Sequence, residues 1–277
     1  MYEISGNITE IQRFSTGDGP GIRSTVFCKG CNLHCEWCHN PETILSEPQI
    51  MFYNHLCKNC AACKKADFNN RANVCPTGAL RICGYRITAS ETAKIMLEDK
   101  PFYDSSGGGV TFSGGEPLLQ PEFVYETSKL LKNHDINIIV DTALNVDYNV
   151  IEKLNPFVDC YFTDLKGIDY NECYKHTGAD LELVISNMKR LINAEKEVVV
   201  RIPVIPNYSD SVEYMRKASQ IVKDIGAKSV NLIPFHNYGG SKYTALGKTY
   251  KYKHAKPDTK EKLVELASLF DNATIEF

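Results

Sequence analysis

At 277 residues, with 43% hydrophobic and 23% charged side chains, the chain can build one large α/β core or two ordinary domains, and its composition excludes wholesale disorder. A formal charge of −3 excludes a global basic field of the kind that draws a protein onto nucleic acid. No apolar stretch approaches the ~20 residues needed to cross a bilayer, and the N-terminus MYEISGNITEIQRF lacks a basic flank followed by an apolar run, so a cytoplasmic location without membrane or nucleic-acid partner is expected.

In chain order, a first β-branched run at residues 22–27 predicts a strand that leads into a cysteine-rich loop. Residues 48–85 are rich in cysteine and asparagine and show neither strand nor helix period, and they read as an insertion. Thr88 and Glu91 have capping-box spacing ahead of a helix that reaches about residue 98. Strands are then expected at 109–112, 136–140, 160–164, 198–202 and 229–233. Helices are expected at 121–132, where Pro121 suits the first turn, at 181–194, and at 211–225, which stops at Gly226. Repeated βα units predict a parallel sheet, and six of them are too few to close an eight-fold barrel. The expected fold is therefore an open partial (β/α)6 TIM-like barrel formed by residues 1–47 and 86–277, interrupted by the 48–85 insertion.

Reactive groups of βα barrels sit at the C-terminal ends of the strands. Those ends carry Cys31, then Ser113 to Glu116, Asp141 with Thr142, Asp164 with Lys166, and His236, while Arg201 lies within a strand. Polar groups from several strand ends thus point at one mouth.

Eight of the eleven cysteines crowd between Cys28 and Cys75, and reduced thiolates that hold metal fit this better than disulfides. Cys31, Cys35 and Cys38 are spaced C-x3-C-x2-C in the loop after the first strand. A structural zinc site wants four ligands, whereas three cysteines on a four-iron cluster leave one iron open to substrate. A zinc knuckle with His34 or His39 as fourth ligand is the alternative, and Cys28, on the strand itself, reads as a core residue.

The three-cysteine motif, with aromatic Trp37 before its last member, resembles the radical S-adenosylmethionine (SAM) signature. Phe14-Ser15-Thr16-Gly17-Asp18-Gly19-Pro20-Gly21-Ile22-Arg23, Trp37-Cys38-His39-Asn40-Pro41, Ser113-Gly114-Gly115-Glu116-Pro117, Asp164-Leu165-Lys166 and Ile233-Pro234-Phe235-His236 resemble, in kind and order, the glycyl-radical-enzyme activases. The resemblance implies that a [4Fe-4S] cluster on Cys31, Cys35 and Cys38 binds SAM through its open iron and cleaves it reductively. The resulting 5′-deoxyadenosyl radical then takes the α-hydrogen of a glycine in a partner glycyl radical enzyme. It further implies that Gly114, Gly115 and Glu116 shape the methionine end and that Lys166 meets the SAM carboxylate. Asp141, Thr142 and Asp164 would bind a monovalent cation, and Arg201, His236, Trp37 and His39 would border the nucleoside.

Cys57-x2-Cys60-x2-Cys63, followed by Cys75-Pro76, resembles bacterial ferredoxins and implies a second [4Fe-4S] cluster, with Cys83 as an alternative to Cys75. A four-cysteine zinc site shares this spacing. The second cluster would relay electrons from flavodoxin or ferredoxin, or stabilise the insertion. Cys160 and Cys173 have no partner motif. Two competing functions remain at this point: a radical SAM enzyme acting on a small molecule, and a zinc-stapled interaction module.

Overall fold

The computed structural model describes residues 3–67 and 70–276. Its strands are β1 (Ser5–Ser15), β2 (Arg23–Cys28), β3 (Gln49–Phe52), β4 (Leu80–Cys83), β5 (Tyr85–Thr88), β6 (Gly109–Gly114), β7 (Asn137–Thr142), β8 (Cys160–Asp164), β9 (Glu197–Val204), β10 (Ser229–Pro234) and β11 (Ala273–Ile275). The helices are α1 (Ala89–Leu97), α2 (Lys100–Ser106), α3 (Pro121–Lys132), α4 (Tyr148–Leu154), α5 (Tyr170–Thr177), α6 (Leu181–Asn193), α7 (Val212–Ile225), α8 (Gly240–Ala245) and α9 (Lys260–Ala267).

The central sheet runs β11-β10-β9-β8-β7-β6-β2-β1-β5. From β2 to β11 every pairing is parallel, and β1 then pairs antiparallel with both β2 and β5. Parallel strands covered on both faces read as nearly continuous apolar runs, which is why β2 and β6 to β10 fall where the β-branched segments placed them. Among the described residues no helix is long and apolar enough to cross a membrane.

Local signals account for the helix ends. Thr88 and Glu91 form a reciprocal capping box on α1, and α7 begins at the Ser211 side-chain cap and ends at Gly226 with φ +76. On α3, Phe123, Val124, Thr127, Ser128 and Leu131 face the core.

Three elements of the main sheet, β1, β5 and β11, lie outside the sequence expectation. In β1 the register breaks between Ile8 and Glu10 and again between Gln12 and Ser15, with Phe14 at φ +59 in the second break, so the two-residue alternation is lost. Residues 48–85, which show no strand period in sequence, also contain two short strands. Within residues 48–85, β3 and β4 pair antiparallel as a separate two-stranded sheet, joined through short 3-10 turns. Four-residue strands are too short to show a period in sequence.

Candidate active site

A single cavity of about 390 Å³ opens where β2 and β6 to β10 end. Its walls carry Cys31, Cys35, Cys38, Trp37, His39, Gly114, Gly115, Asp141, Thr142, Asp164, Lys166, Arg201 and His236. The strand-end residues singled out in the sequence therefore meet in one place, apart from Glu116.

Glu116 is 1% exposed, and its carboxylate is spent on the protein itself. It accepts the Thr142 hydroxyl at 2.7 Å, the Ala143 N–H at 2.9 Å and the Leu118 N–H at 3.0 Å. Burial nevertheless pushes its carboxyl up to about 7. The residue fastens the end of β6 to the end of β7. The two glycines before it are required by close approach. Gly114 sits at φ +109, and a Cβ there would lie 2.5 Å from the backbone of Cys28, while one on Gly115 would lie 2.3 Å from the Gly30 carbonyl. This contact sets β6 against the start of the cysteine loop, and the Gly115 and Glu116 N–H groups donate to the Cys28 and Gly30 carbonyls.

The loop 31–38 is held from several sides. His34 and Glu36 donate backbone N–H groups to Thr177 and His176 at the end of α5. The Glu36 carboxylate also binds His176 Nδ1 at 2.6 Å and the Lys251 ammonium. Trp37 packs into Ile205, Phe235, Tyr243, Tyr250 and Tyr252, with its ring 4.9 Å from that of Tyr208. The Leu33 N–H reaches the Cys31 sulfur at 3.4 Å, and the Asn40 N–H points at that of Cys38.

Burial pushes the Cys31 thiol up to about 11 and raises those of Cys35 and Cys38 as well. Such thiols ionise only when positive charge is brought beside them, as a metal centre does. Among the described residues no three His, Cys, Asp or Glu side chains converge tightly enough to grip one metal ion. The three thiols instead share a cavity wall.

Opposite polar groups are paired across the cavity. Burial works to discharge Lys166, but Asp164, at 2.7 Å, together with Asp141 holds it above the ordinary lysine range. Asp141 accepts the Ser113 hydroxyl at 2.7 Å and lies 3.3 Å from Arg201, whose other arm reaches Glu276 at 3.2 Å. His39 and His236 stack with ring centroids 3.8 Å apart. Burial drives His39 down to about 3 and lowers His236 too, so both rings are neutral. His39 Nε2, His236 Nδ1 and Arg201 Nε are buried without a hydrogen-bond partner. Three unpaired nitrogens on one cavity fit a polar, hydroxyl-bearing ligand such as a nucleoside, and three clustered thiols fit an iron–sulfur cluster.

Several contributors were not assigned from sequence. Asp18 lines the cavity and takes hydroxyl hydrogen bonds from Ser15 and Thr25. Tyr208 donates its hydroxyl to the Lys166 carbonyl at 2.9 Å. Lys242 holds Asn40 and Glu42 just beyond Cys38. Asp18 stands in the Gly-rich opening motif, whereas the others carry no local signal.

Cys57, Cys60, Cys63 and Cys75 lie between β3 and β4. The Cys75 sulfur lies 3.7 Å from the Thr77 hydroxyl, and the neighbouring backbone N–H groups, that of Leu80 foremost, bring its thiol down to about 7. Cys83, on β4, is raised by burial and stands beside Lys29 and Glu42.

The chain matches the family described as the radical SAM superfamily over residues 25–218. It is 36% identical to the choline trimethylamine-lyase activating enzyme of Oleidesulfovibrio alaskensis, covering 90% of each chain. It is 34% identical to the 4-hydroxyphenylacetate decarboxylase activating enzyme of Clostridioides difficile, covering 97% of this chain and 94% of the relative. In fold it resembles a domain of a pyruvate-formate lyase-activating enzyme from Bacteroides vulgatus, with a TM-score of 0.52 and 24% identity over 61% of this chain and 99% of that one. A radical SAM methyltransferase from Sphaerobacter thermophilus gives a TM-score of 0.59 at 16% identity over 91% of this chain and 66% of that one. The chain belongs to the radical SAM superfamily, among its glycyl radical enzyme activating enzymes.

Proposed function

We propose that Cys31, Cys35 and Cys38 hold the [4Fe-4S] cluster of this activating enzyme and that the adjoining cavity receives SAM. The observation that carries the assignment is the meeting of three half-buried thiols, the Lys166–Asp164 pair and three unpaired ring or guanidinium nitrogens on one cavity. When bound, the cluster supplies the electron that splits SAM into methionine and a 5′-deoxyadenosyl radical, which takes the α-hydrogen of a partner's glycine.

Each residue has a physical task in this arrangement. Lys166, kept charged by Asp164, offers its ammonium to the SAM carboxylate. Gly114 and Gly115 let the end of β6 close onto the Cys28 and Gly30 backbone, which sets the wall against which the methionine end of SAM would lie. Neutral His39 and His236 present their unpaired nitrogens to ribose hydroxyls, and Arg201 adds its free Nε–H. Asp141, Thr142 and Asp164 supply hard oxygens for a monovalent cation. Trp37 and Glu116 act through position, one wedging the cysteine loop and the other fixing the ends of β6 and β7.

The parallel run of the sheet is read as a partial (β/α)6-type barrel, with residues 48–85 a ferredoxin-like insertion between segments 1–47 and 86–277. In that insertion Cys57, Cys60, Cys63 and Cys75 would hold a second [4Fe-4S] cluster fed by flavodoxin or ferredoxin. Cys75 is favoured over Cys83 because its surroundings lower its thiol to about 7, toward the thiolate a metal needs, whereas burial raises that of Cys83. All the described cysteines are free thiols, which fits a reducing cytoplasm.

Protein reconstituted anaerobically with iron and sulfide should convert SAM to 5′-deoxyadenosine under a low-potential reductant, and Cys38→Ala should abolish the product. Undiminished 5′-deoxyadenosine from the Cys38→Ala protein would overturn the assignment.

A further inference from the structure

The charge of the chain is unevenly placed. Residues 48–85 carry five cations, Lys58, Lys64, Lys65, Arg71 and Arg81, against one acid, Asp67. The segment therefore stands at +4 within a chain of net −3, which leaves the remaining residues at −7. All five cations are exposed, and so is Cys60, between Lys58 and Lys64. Arg81 is engaged locally, donating to the Gly78 carbonyl at 3.0 Å and lying 5.0 Å over the Tyr53 ring. Lys58 stands between Cys57 and Cys60, and Lys64 and Lys65 directly follow Cys63.

The insertion is fastened to the first cysteine loop. Lys29, 1% exposed, donates its ammonium to the Glu42 carbonyl and, at 3.2 Å, to Gln49 of β3. On the other side β3 packs beside α8, whose Lys242 binds Asn40 and the Glu42 carboxylate. A protein seated on residues 58–65 is thus placed on a segment whose Gln49 is tied to Lys29, just ahead of Cys31.

We propose that Lys58, Lys64 and Lys65, extended by Arg71, form the docking surface for an acidic one-electron carrier protein of the flavodoxin or ferredoxin kind. The inference deepens the activase reading and rests on it, since that chemistry consumes one electron for each SAM cleaved. The carrier is oxidised by one electron and the carbon–sulfur bond of SAM is reduced, giving methionine and the 5′-deoxyadenosyl radical, which then becomes 5′-deoxyadenosine by taking the glycine hydrogen. A basic patch on an otherwise acidic protein orients such a carrier as well as attracting it, because the rest of the surface repels it. A mere counterweight to a thiolate-bound cluster would work best near the sulfurs and out of water, whereas these ammonium groups are solvent-facing.

The test uses full-length reconstituted protein and reduced flavodoxin as the probe. Lys58→Glu/Lys64→Glu/Lys65→Glu should weaken flavodoxin binding at least tenfold at low salt, with the difference closing near 1 M salt, where the screening length falls to about 3 Å. Lys58→Gln/Lys64→Gln/Lys65→Gln should lie between, which guards against a misfolded reversal variant. A control reversal of exposed Lys94, Lys129 and Lys217 should stay within about twofold of wild type. Formation of 5′-deoxyadenosine driven by photoreduced deazaflavin, which needs no docking, should persist in the reversal variant. Wild-type affinity in the reversal variant, equal weakening in the control, or loss of glycyl radical enzyme binding with flavodoxin binding intact would each overturn the proposal. Absence of 5′-deoxyadenosine from wild type with deazaflavin would instead count against the activase reading.

Discussion

The Thr142 hydroxyl donates to the Glu116 carboxylate at 2.7 Å inside the protein, and this one bond ties the end of β6 to the end of β7 on the wall of the cavity. Because burial lifts the Glu116 carboxyl from its ordinary 4.5 to about 7, the bond carries a pH signature. Between these values the folded protein binds a proton that the unfolded chain has released, so Glu116 lowers stability as pH rises from 4.5 to 7, by about 3 kcal/mol in all. Glu116→Gln removes that dependence. Its amide cannot satisfy both facing N–H groups, so at pH 5 the variant should be less stable by about 1–3 kcal/mol. Anaerobic denaturant titrations at pH 5, 6 and 7 should show the gap to wild type narrowing as pH rises. A constant gap would mean that Glu116 ionises at its ordinary pH.

Gly115 is the tightest point between β6 and the cysteine loop. A methyl group there meets the Gly30 carbonyl at 2.3 Å, closer than any relaxed contact. Gly115→Ala should cost roughly 1–3 kcal/mol of stability through the forced backbone shift and weaken SAM binding at least tenfold. Equilibrium binding of SAM to the reconstituted variant measures the second effect, and wild-type affinity would show that the strand end yields without moving the loop.

Lys166 and Asp164 form a pair in which each side chain is less than one-fifth exposed. Lys166→Met keeps the bulk but leaves Asp164 and Asp141 with less opposing charge. SAM affinity should fall by tenfold or more, about 1.4 kcal/mol or above, while iron content stays unchanged. Loss of iron together with affinity would give Lys166 a role in holding the loop instead.

Cys75 and Cys83 are separated by their surroundings. Nearby N–H groups and the Thr77 hydroxyl lower the Cys75 thiol, whereas burial raises that of Cys83 on β4. Cys75→Ala should lose about four of roughly eight irons per chain, and Cys83→Ala should keep them. The opposite pattern in iron and sulfide assays would exchange the two ligands.

The legible parts of this protein were those whose signal is local. The strands β6 to β10 declare themselves as short β-branched or aromatic runs, and Asp141, Asp164 and His236 sit at or just past the ends of theirs, so they could be placed from sequence. What stayed hidden depends on distant partners or on irregular backbone. Glu36 meets His176 across 140 residues, and Arg201 meets Glu276 across 75, a contact made possible by the three-residue strand β11. Ile8 is fully buried in β1, yet the broken register around it conceals the strand. Glu116 stood in a recognisable motif, but whether its carboxylate faced ligand or backbone was decided by the hydroxyl of Thr142, 26 residues away.

The most direct measurement is electron paramagnetic resonance of reconstituted protein mixed with SAM, a low-potential reductant and the glycyl radical enzyme encoded nearest its gene. A doublet from a glycine α-carbon radical on the partner, formed together with 5′-deoxyadenosine and absent with Cys31→Ala, is the expected result. SAM cleavage without a glycyl doublet, after candidate glycyl radical enzymes have been tried in turn, would contradict the account and shift the radical onto a small-molecule substrate.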